Sequence, residues 1–324
     1  MSFLVEKPGM LTIVQDLGRW GHQLRGVTVS APMDQFSLRI GNVMLGNGEN
    51  DAALETTLLG LRIVMREERC VVLAGADLCM TIDGSPAAAW LVHRVAPGSR
   101  ISIGGPSGDG VRSYLCFSGG IDVPVVMGSR STYTRASLGG FGGRALKSGD
   151  VVYTCDPKPL WRRAEGFSCP PEFRPTRHRG DPLEALDGPQ ADAFTERGIA
   201  TFYGERYTVT NEADRMGYRL DGPEIERCKS PDIVSDGIAP GAVQVPGHGR
   251  PIVMMSDRQT TGGYTKIAVV GTWSAAQLAQ RMPGETVRFR RVTEREATAR
   301  LQKFEDDLSA LDALRATYRS RGKF

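Results

Sequence analysis

Short apolar runs separated by glycine and proline dominate the chain. Each run is a few residues long and is either continuously apolar or alternates with polar residues. The clearest runs are LTIVQ at 11–15, LRIVM at 61–65, CVVLAG at 70–75, ISIGG at 101–105, SYLCFSGG at 113–120, DVVYTC at 150–155, YTVTN at 207–211, PIVMM at 251–255, IAVVG at 267–271 and TVRFRR at 286–291. Such runs, bounded by turn residues, are typical of strands in a β-sandwich or β-barrel. The pattern therefore predicts a mainly β protein.

Two segments have helical rather than strand periodicity. In MDQFSLRIGNVML, residues 33–45, apolar side chains recur at helical spacing and Gly46 follows as a stop signal. Later in the chain, Thr293 and Glu296 have the spacing of a capping box. The apolar residues at helical spacing that follow are Ala297, Leu301, Phe304, Leu308 and Leu311. We therefore predict a few short helices and a C-terminal helix, which packs on its own lobe or on a partner.

One pattern occurs twice along the chain. Residues 11–24, LTIVQDLGRWGHQL, match residues 207–220, YTVTNEADRMGYRL, with four identities. The matching polar positions are Gln15, Asp16 and Arg19 in the first copy and Asn211, Glu212 and Arg215 in the second. Two weaker matches follow in the same order, a Gly-Ala pair ahead of a Gly-Xaa-Pro turn and a Pro-Gly pair ahead of a strand. Three matches in one order favour two related β lobes over coincidence.

The 324 residues have the length of about two domains. We place an N-terminal β lobe at 1–160, a basic proline-rich connection at 161–182, and a C-terminal β lobe with its helix at 183–324. Residues 156–182 are rich in proline and arginine and lack apolar periodicity, which favours an exposed inter-lobe segment. A basic patch for RNA is the alternative, but no aromatic platform or RNA motif accompanies it.

Composition and charge narrow the function classes. With 40% apolar residues, 24% charged residues and a net charge of +3, the chain is globular and has no electrostatic signature for nucleic acid or an anionic membrane. The six cysteines contain no CxxC pair and the four histidines are isolated, so neither a metal site nor a disulfide framework is expected. The sequence shows no secretory signal pattern and no apolar run of about twenty residues. We therefore expect a cytoplasmic protein.

The densest group of polar residues lies between two apolar runs. SDRQTTGGYTK, residues 256–266, connects PIVMM to IAVVG, so two predicted strands would hold it. Its candidate site residues are Asp257, Arg258, Gln259, Thr260, Thr261, Tyr264 and Lys266. Arg258 could bind a carboxylate or phosphate, and Gln259 could pair with an amide. A solvated hairpin loop is the alternative.

Other candidates are weaker. GGFGGRALKSG, residues 139–149, lacks the spacing of a phosphate-binding loop and leads into a predicted strand, so we interpret it as a glycine-rich turn. Cys116 and Ser129 have no neighbouring base in the sequence, which favours structural roles. His22 and His248 lie beside the segments described above and could act as acid or base, but isolated histidines are more often hydrogen-bonding groups.

Several longer motifs resemble one known family. They are KPGMLTIVQDLGRWGH at 7–22, PMDQFSLRIGN at 32–42, MGSRST at 127–132, DRMGYRL at 214–220 and GAVQVPGHGRPIVMMSDRQTTGGYTKIA at 241–268. Together they resemble the C subunit of the bacterial ATP-dependent 5-oxoprolinase, a family also labelled biotin-dependent carboxyltransferase-like, allophanate hydrolase subunit 2 or KipA-like. The resemblance extends from about residue 3 to residue 297.

The resemblance implies a fold, partners and a reaction. The fold would be two tandem cyclophilin-like β-barrel lobes, in agreement with the repeat. The chain would work in a hetero-oligomer with a KipI-like B subunit and an A subunit that resembles a lactam-utilisation protein. The complex would use ATP, bound on this chain or on a partner, to open 5-oxo-L-proline to L-glutamate. Related domains form the carboxyltransferase part of urea carboxylase, where carboxybiotin passes its carboxyl group to urea.

Both substrates contain an unreactive amide or urea carbonyl, which phosphorylation of its oxygen by ATP can activate. The site must then bind a small planar amide and balance anionic charge. The catalytic candidates, which would act as or orient a base, donate protons or stabilise charge, are Asp16, Asp257, Tyr264 and Lys266. The substrate-binding candidates, which would pair with the amide or neutralise anions, are Gln15, Arg19, Arg215, Arg258, Gln259, Thr260 and Thr261. No metal ligand is among them.

Two other functions stay open. The chain could be a carboxyltransferase acting with a separate biotin carrier. It has no biotinyl-lysine motif of the A-M-K-M kind, so biotin is not expected on this chain itself. It could also be a regulatory partner of a KipI-like protein of the B-subunit kind. A lone allophanate hydrolase is disfavoured, because the Ser-Ser-Lys amidase signature is absent. Two turns depart from the family pattern, residues 31–34 and His248, which puts substrate preference in doubt more than fold.

Overall fold

The computed structural model describes residues 2–175 and 180–318 and contains two compact units. Unit 1 comprises Met1–Arg19, Asp34–Thr176 and Phe304–Phe324, and unit 2 comprises Trp20–Met33 and Arg177–Lys303. Neither unit is therefore a continuous stretch of chain. Residues 176–179 of the predicted connection and residues 319–324 of the predicted C-terminal lobe lie outside the described residues.

Unit 1 is built on two antiparallel sheets. Its strands are β1 (Ser2–Pro8), β2 (Leu11–Gln15), β3 (Ala53–Thr57), β4 (Leu61–Met65), β5 (Arg69–Gly75), β6 (Met80–Ile82), β7 (Ser85–Pro86), β8 (His93–Val95), β9 (Arg100–Ile103), β10 (Arg112–Phe117), β11 (Ile121–Asp122) and β12 (Val151–Thr154). The seven-stranded sheet has the order β11-β12-β1-β4-β9-β6-β7, and the five-stranded sheet has the order β2-β3-β10-β5-β8. Alternate residues of the strands, such as Phe3 and Val5 on β1, point into one buried core.

One helix of unit 1, α1 (Gln35–Leu45), follows the predicted pattern. Asp34 caps its first turn by accepting from the Ser37 N–H at 3.1 Å. Gly46 ends the helix with a φ of 71°, the left-handed conformation that favours glycine at this position. Gly41 lets the helix approach β10 closely, because a Cβ there would lie 2.8 Å from the Cys116 sulfur.

Unit 2 contains a large sheet and a small one. Its strands are β13 (Leu183–Asp187), β14 (Tyr207–Val209), β15 (Gly217–Asp221), β16 (Asp232–Gly237), β17 (Ala242–Gln244), β18 (Ile252–Met254), β19 (Thr261–Tyr264), β20 (Lys266–Val270), β21 (Thr286–Val287) and β22 (Phe289–Arg291). Two helices, α2 (Glu196–Gly204) and α3 (Thr272–Leu278), accompany them. The eight-stranded sheet has the order β21-β14-β15-β18-β17-β20-β13-β22, in which β13 and β22 run parallel. The other sheet pairs β16 with β19.

Aromatic side chains dominate part of the core of unit 2. Phe202 on α2 stacks on Phe289 with ring centroids 4.5 Å apart, and Tyr207 packs beside them. Val253 and Ile267 extend this core along β18 and β20. Each fully buried side chain of this size contributes roughly 1.5–3 kcal/mol through burial of apolar surface. The opposite face of the same sheet carries the polar residues considered below.

The described part of the predicted connection packs on unit 1. Residues 161–175 contain two short 3₁₀ turns, Trp161–Ala164 and Pro171–Phe173. Phe167 and Cys169 are buried, and backbone hydrogen bonds join Val92 to Phe167 and Cys169 to Trp90. This segment accordingly belongs to unit 1.

Helix α4 (Glu294–Thr317) begins at the predicted capping box. The Thr293 N–H donates to Glu296 Oε2 at 2.7 Å, and the Glu296 N–H donates to Thr293 Oγ1 at 3.3 Å. The helix residues up to Lys303 belong to unit 2 and those from Phe304 onward to unit 1. Phe304 packs edge-to-face on Phe36 of α1 with ring centroids 4.6 Å apart. This half of the helix thus packs on α1 of unit 1, whereas the sequence led us to expect packing on the C-terminal lobe or on a partner.

The predicted fold class, mainly β with short helices and a C-terminal helix, is confirmed. Within residues 2–175 and 180–318 the structure has four α-helices, the last of which is the predicted C-terminal one. None of the helices in this described part combines the length and apolar character that crossing a bilayer requires.

Candidate functional site

A buried network in unit 1 surrounds Asp16. Its carboxylate accepts hydrogen bonds from the hydroxyls of Ser129 at 2.6 Å and Ser131 at 2.8 Å. It also accepts from the backbone N–H groups of Arg130 at 2.5 Å and Gly18 at 2.9 Å. These donors occupy the acceptor positions of a carboxylate that is 3% exposed. The geometry suits a brace for the loop at 129–131 better than a catalytic base.

Arg19 and Gln15 hold the same loop through its carbonyl groups. Arg19 is fully buried and donates from Nη2 to Ser131 O at 2.5 Å. Gln15 donates from Nε2 to Thr132 O at 3.1 Å. The glycine-rich turn presses on this loop, because a Cβ at Gly139 would lie 2.2 Å from Ser131 O. The glycines of this turn therefore allow it to pack closely against the 129–131 loop, in agreement with its interpretation as a glycine-rich turn.

We expect Asp16→Asn to lower the free energy of unfolding by about 2–3 kcal/mol, because the new NH₂ group would face donors that now share the carboxylate. Urea denaturation and hydrogen exchange at the Gly18 and Arg130 amides measure the effect. Asp122→Asn is the control, since that carboxylate is 57% exposed. Unchanged protection of both amides in Asp16→Asn would contradict the role of a brace.

Asp257 and Arg215 of unit 2 form a buried ion pair. Arg215 donates from Nε to Oδ2 at 3.0 Å and from Nη2 to Oδ1 at 3.1 Å. Ser30 donates from Oγ to Asp257 Oδ1 at 2.6 Å, and Arg215 Nη2 also donates to Ala31 O at 2.8 Å. Ser30 has a φ of 49°, in the left-handed region. The pair thus fixes the segment around Ser30, and the carboxylate is engaged in internal contacts.

The neighbouring residue, Arg258, has a different environment. It is 5% exposed and donates from Nε to Ile238 O at 2.9 Å and from Nη1 to Met255 O at 3.4 Å. No carboxylate among the described residues forms an ion pair with it. Burial lowers the pKa of Arg258 to about 10, because the charged form loses hydration without gaining a counter-ion. A buried guanidinium with only carbonyl partners is suited to binding an anion.

Three side chains converge on Gly262, one of them from Ile238. A Cβ at Gly262 would lie 2.6 Å from Ile238 Cδ1, 2.7 Å from Gln244 Nε2 and 3.5 Å from Gln259 Nε2. Gln244 is 2% exposed, and its Nε2 has no hydrogen-bond partner among the described residues. Ile238 joins this group to Arg258, whose Nε it binds through its carbonyl oxygen.

Lys266 provides a second buried cation. It lies opposite Gln244 in the β17–β20 register and donates from Nζ to Asp236 Oδ1 at 2.5 Å. The Lys266 side chain is 3% exposed, whereas that of Asp236 is 44% exposed. Gln190 connects the two by donating to Asp236 Oδ2 at 3.3 Å and accepting from the Lys266 N–H at 3.2 Å. We use the name Gly262 cluster for the residues that contact Gly262 or Ile238, or that pair with a residue that does. They are Arg258, Gln244, Gln259, Lys266 and Asp236.

The remaining predicted residues of the loop lie nearer to solvent. Thr261 and Tyr264 are exposed, and Thr260 is half-buried with its carbonyl accepting from the Ile238 N–H at 3.0 Å. The second copy of the repeat is equally open, because Asn211 and Glu212 are exposed. Only the first copy therefore places its amide and carboxylate in the interior.

Sequence reasoning missed Gln244, Asp236, Gln190 and Ser30 as neighbours of the predicted residues. The sequence around Gln244 did contain a signal, because this polar residue lies between two apolar residues, Val243 and Val245, that belong to the core. The others had none, because they come from chain segments far from residues 256–266.

The weaker candidates, Cys116, Ser129 and His248, lie in environments that fit structural roles. Burial raises the pKa of the Cys116 thiol well above its ordinary value, so the thiol stays protonated. Ser129 donates its hydroxyl to Asp16, and His248 Nδ1 accepts from the Arg250 N–H at 3.1 Å. Within the described ranges, no group of three or more histidine, cysteine, aspartate or glutamate side chains could hold a metal ion.

A comparison with protein families decides where the chain belongs. Residues 25–291 match the carboxyltransferase domain, subdomain A and B. The chain belongs to this carboxyltransferase family. The matched region of the family contains the whole Gly262 cluster and the Asp257–Arg215 pair, whereas Asp16 and Arg19 precede its first matched residue. The resemblance found in the sequence is thereby confirmed.

Relatives of this carboxyltransferase-family chain include the C subunit of 5-oxoprolinase from Escherichia coli, which is 36% identical over 285 residues that cover 87% of this chain and 89% of the relative. The protein of the same name from Haemophilus influenzae is 35% identical over 88% of this chain and 89% of its own length. Among solved structures, the urea carboxylase of Kluyveromyces lactis matches 96% of this chain with a TM-score of 0.90 and 28% identity. The chain spans 29% of that urea carboxylase chain.

Proposed function

We propose that this carboxyltransferase-family chain is the C subunit of an ATP-dependent 5-oxoprolinase, which opens 5-oxo-L-proline to L-glutamate together with its A and B subunits. Two relatives that carry the name of the 5-oxoprolinase C subunit, aligned over most of both chains, support the proposal. The observation that carries it is the buried guanidinium of Arg258, whose partners among the described residues are carbonyl groups, one of them that of Ile238. The Ile238 side chain in turn meets the same point at Gly262 as the Gln244 amide, which has no partner among the described residues.

The Gly262 cluster suits a lactam that bears a carboxylate. Opening the ring consumes one water molecule, which adds a hydroxyl group to the carbonyl carbon and a proton to the nitrogen as the C–N bond breaks. The coupled hydrolysis of ATP to ADP and inorganic phosphate consumes a second water molecule. Arg258 supplies the charge that holds the carboxylate, and Lys266 stabilises negative charge that develops on the carbonyl oxygen. Asp236 keeps the Lys266 amine in place. Gln259, Thr260 and Thr261 would contact the substrate from the solvent side.

ATP activates the carbonyl in this proposal, but the described residues offer no fitting phosphate loop. The glycine-rich turn packs against Ser131 and leads into strand β12 rather than into a helix. We therefore place the ATP site on one of the two partner proteins, and we assign binding and charge stabilisation to this chain. Because the reaction consumes ATP, the proposal also places the complex in the cytoplasm.

A second candidate is a carboxyltransferase that acts with a separate biotin carrier. The match to the urea carboxylase structure favours it, since a TM-score of 0.90 over 96% of the chain indicates a closely shared fold. Such an enzyme would need carboxybiotin and would transfer its carboxyl group to a small amide.

The two functions differ in their requirements. We expect this chain, purified with the A and B subunits, to release glutamate from 5-oxo-L-proline and ATP, and each of the three proteins by itself to release none. Avidin should leave the rate unchanged. Release of glutamate without this chain, or no release by the full complex, would contradict the proposal. Avidin-sensitive carboxylation of an amide would establish the second candidate instead.

A further inference from the structure

Gln244 carries a buried amide without a hydrogen bond to any described residue. It lies on β17 between Val243 and Val245, which point into the core of unit 2, so its side chain lies on the opposite face of the sheet. Buried polar groups nearly always have partners, and one without a partner destabilises the fold. The presence of an amide at this position therefore needs an explanation.

Packing does not supply that explanation. The same face of the sheet carries a small apolar group formed by Ile238, Ala242, Met254 and Ile252. Ile252 lies directly opposite Gln244 in the β17–β18 register. A leucine or methionine at position 244 would suit these neighbours better than an amide, because it has no polar atoms to leave unsatisfied.

Gly262 preserves space beside this amide. Its φ lies outside the left-handed region, so other residues could adopt its backbone conformation. A Cβ would nevertheless lie 2.7 Å from Gln244 Nε2 and 2.6 Å from Ile238 Cδ1, which is closer than real Cβ contacts. A larger residue at this position would therefore displace the ends of the Gln244 and Ile238 side chains. The exposed Gln259 side chain, which forms no hydrogen bond with the described residues, covers this space.

Arg258 contacts this group of residues through Ile238, to whose carbonyl oxygen its Nε donates, and it lacks a carboxylate partner in the described part of the chain. A guanidinium and a neutral NH₂ donor together complement a carboxylate, whose two oxygens accept from both. A neutral urea or a simple lactam would leave the arginine charge without a counter-ion. The two donors therefore favour a ligand that bears a carboxylate, and the amide or lactam part of that ligand follows from the proposed function.

We propose that Gln244 binds the substrate directly. Its Nε2 donates to one carboxylate oxygen while Arg258 binds the other, and Gln259 moves aside to admit the ligand. The ligand class is a small amide or lactam that bears a carboxylate. The inference rests on the proposed function for the reaction that follows, but carboxylate binding itself can be measured without turnover.

The test is calorimetric titration of the full chain with 5-oxo-L-proline, and with pyrrolidin-2-one, which lacks the carboxylate. Gln244→Met keeps the volume but removes the donor, and should weaken binding of 5-oxo-L-proline by about 10- to 100-fold. Its melting temperature should not fall, because an unsatisfied buried amide is removed. Pyrrolidin-2-one should bind weakly to both proteins, with little difference between them.

A matched pair of glycine variants gives an independent test. Gly262→Ala should weaken binding of 5-oxo-L-proline by about 10-fold or more, because the new methyl group displaces the amide. Gly263→Ala is the control, since its Cβ would meet only Ile233 O at 3.3 Å and Ser235 Oγ at 3.5 Å. Its affinity should match that of the wild type.

The outcomes separate this inference from the proposed function. Equal affinities of wild type, Gln244→Met and Gly262→Ala, or no binding by the wild type, overturn the inference even if the complex releases glutamate. Binding that depends on Gln244 and on the carboxylate supports it. If such binding occurs but the complex releases no glutamate, the inferred carboxylate site is supported and the proposed function is contradicted.

Discussion

Replacement of Arg258 by methionine is expected to lower kcat/KM of the reconstituted complex for 5-oxo-L-proline by about 10²- to 10³-fold, or about 3–4 kcal/mol. Methionine fills similar space with an uncharged chain, so the carboxylate of the substrate would lose its counter-ion in a buried site. Steady-state release of glutamate measures the effect.

The stability of Arg258→Met should not fall with its activity, because the substitution removes an unfavourable buried charge. The pKa of Arg258 is lowered to about 10, so the folded state binds its proton less tightly than the unfolded state does. The resulting penalty on folding is fully present at neutral pH and disappears only as pH rises from about 10 through the unfolded pKa of about 12.5 or above. Arg258→Met should therefore keep or raise the melting temperature.

A matched control distinguishes the effect of losing the buried charge of Arg258 from the effect of losing any arginine charge. Arg250 is 49% exposed and pairs with the exposed Asp221, so Arg250→Met should change neither kcat/KM nor stability. If Arg258→Met unfolds readily while its folded fraction keeps wild-type kcat/KM, Arg258 merely holds the Ile238 and Met255 carbonyls.

Replacement of Asp257 by alanine is expected to lower the free energy of unfolding by about 3–5 kcal/mol. The side chains of Asp257 and Arg215 are 3% and 7% exposed, so the variant would leave a buried guanidinium without its carboxylate. Ser30 would also lose its acceptor. Urea denaturation of the purified chain measures the change.

A double variant tests whether the pair itself is responsible. Asp257→Leu combined with Arg215→Met removes both charges and should recover part of the stability lost in Asp257→Ala. Asp221→Ala is the control, because that carboxylate is 58% exposed. Unchanged stability of Asp257→Ala together with loss of turnover would instead support the catalytic role that the sequence suggested.

Local patterns in the sequence predicted much of the fold. LTIVQ and LRIVM coincide with β2 and β4, and the helix predicted at 33–45 ends at Gly46. These features depend on neighbours in the chain: apolar spacing, a cap and a turn residue. β16 and β19 were missed because DIVSDG and TGGY have little apolar character and become strands by pairing with each other. The short helices α2 and α3 were also missed.

The sequence by itself determined the family, the mainly β class and the loop at 256–266 as the richest candidate region. The tertiary structure decided what each polar residue of that loop contacts. Asp257 and Arg258 are adjacent, yet Asp257 pairs with Arg215, whereas the partners of Arg258 within residues 2–175 and 180–318 are carbonyl groups. Their partners come from distant strands and from the segment around Ser30. Hydrogen bonds and ion pairs are short-ranged, so these contacts depend on the folded positions of the segments. Only the tertiary structure could therefore pair the carboxylate of Asp257 and leave the guanidinium of Arg258 with carbonyl partners.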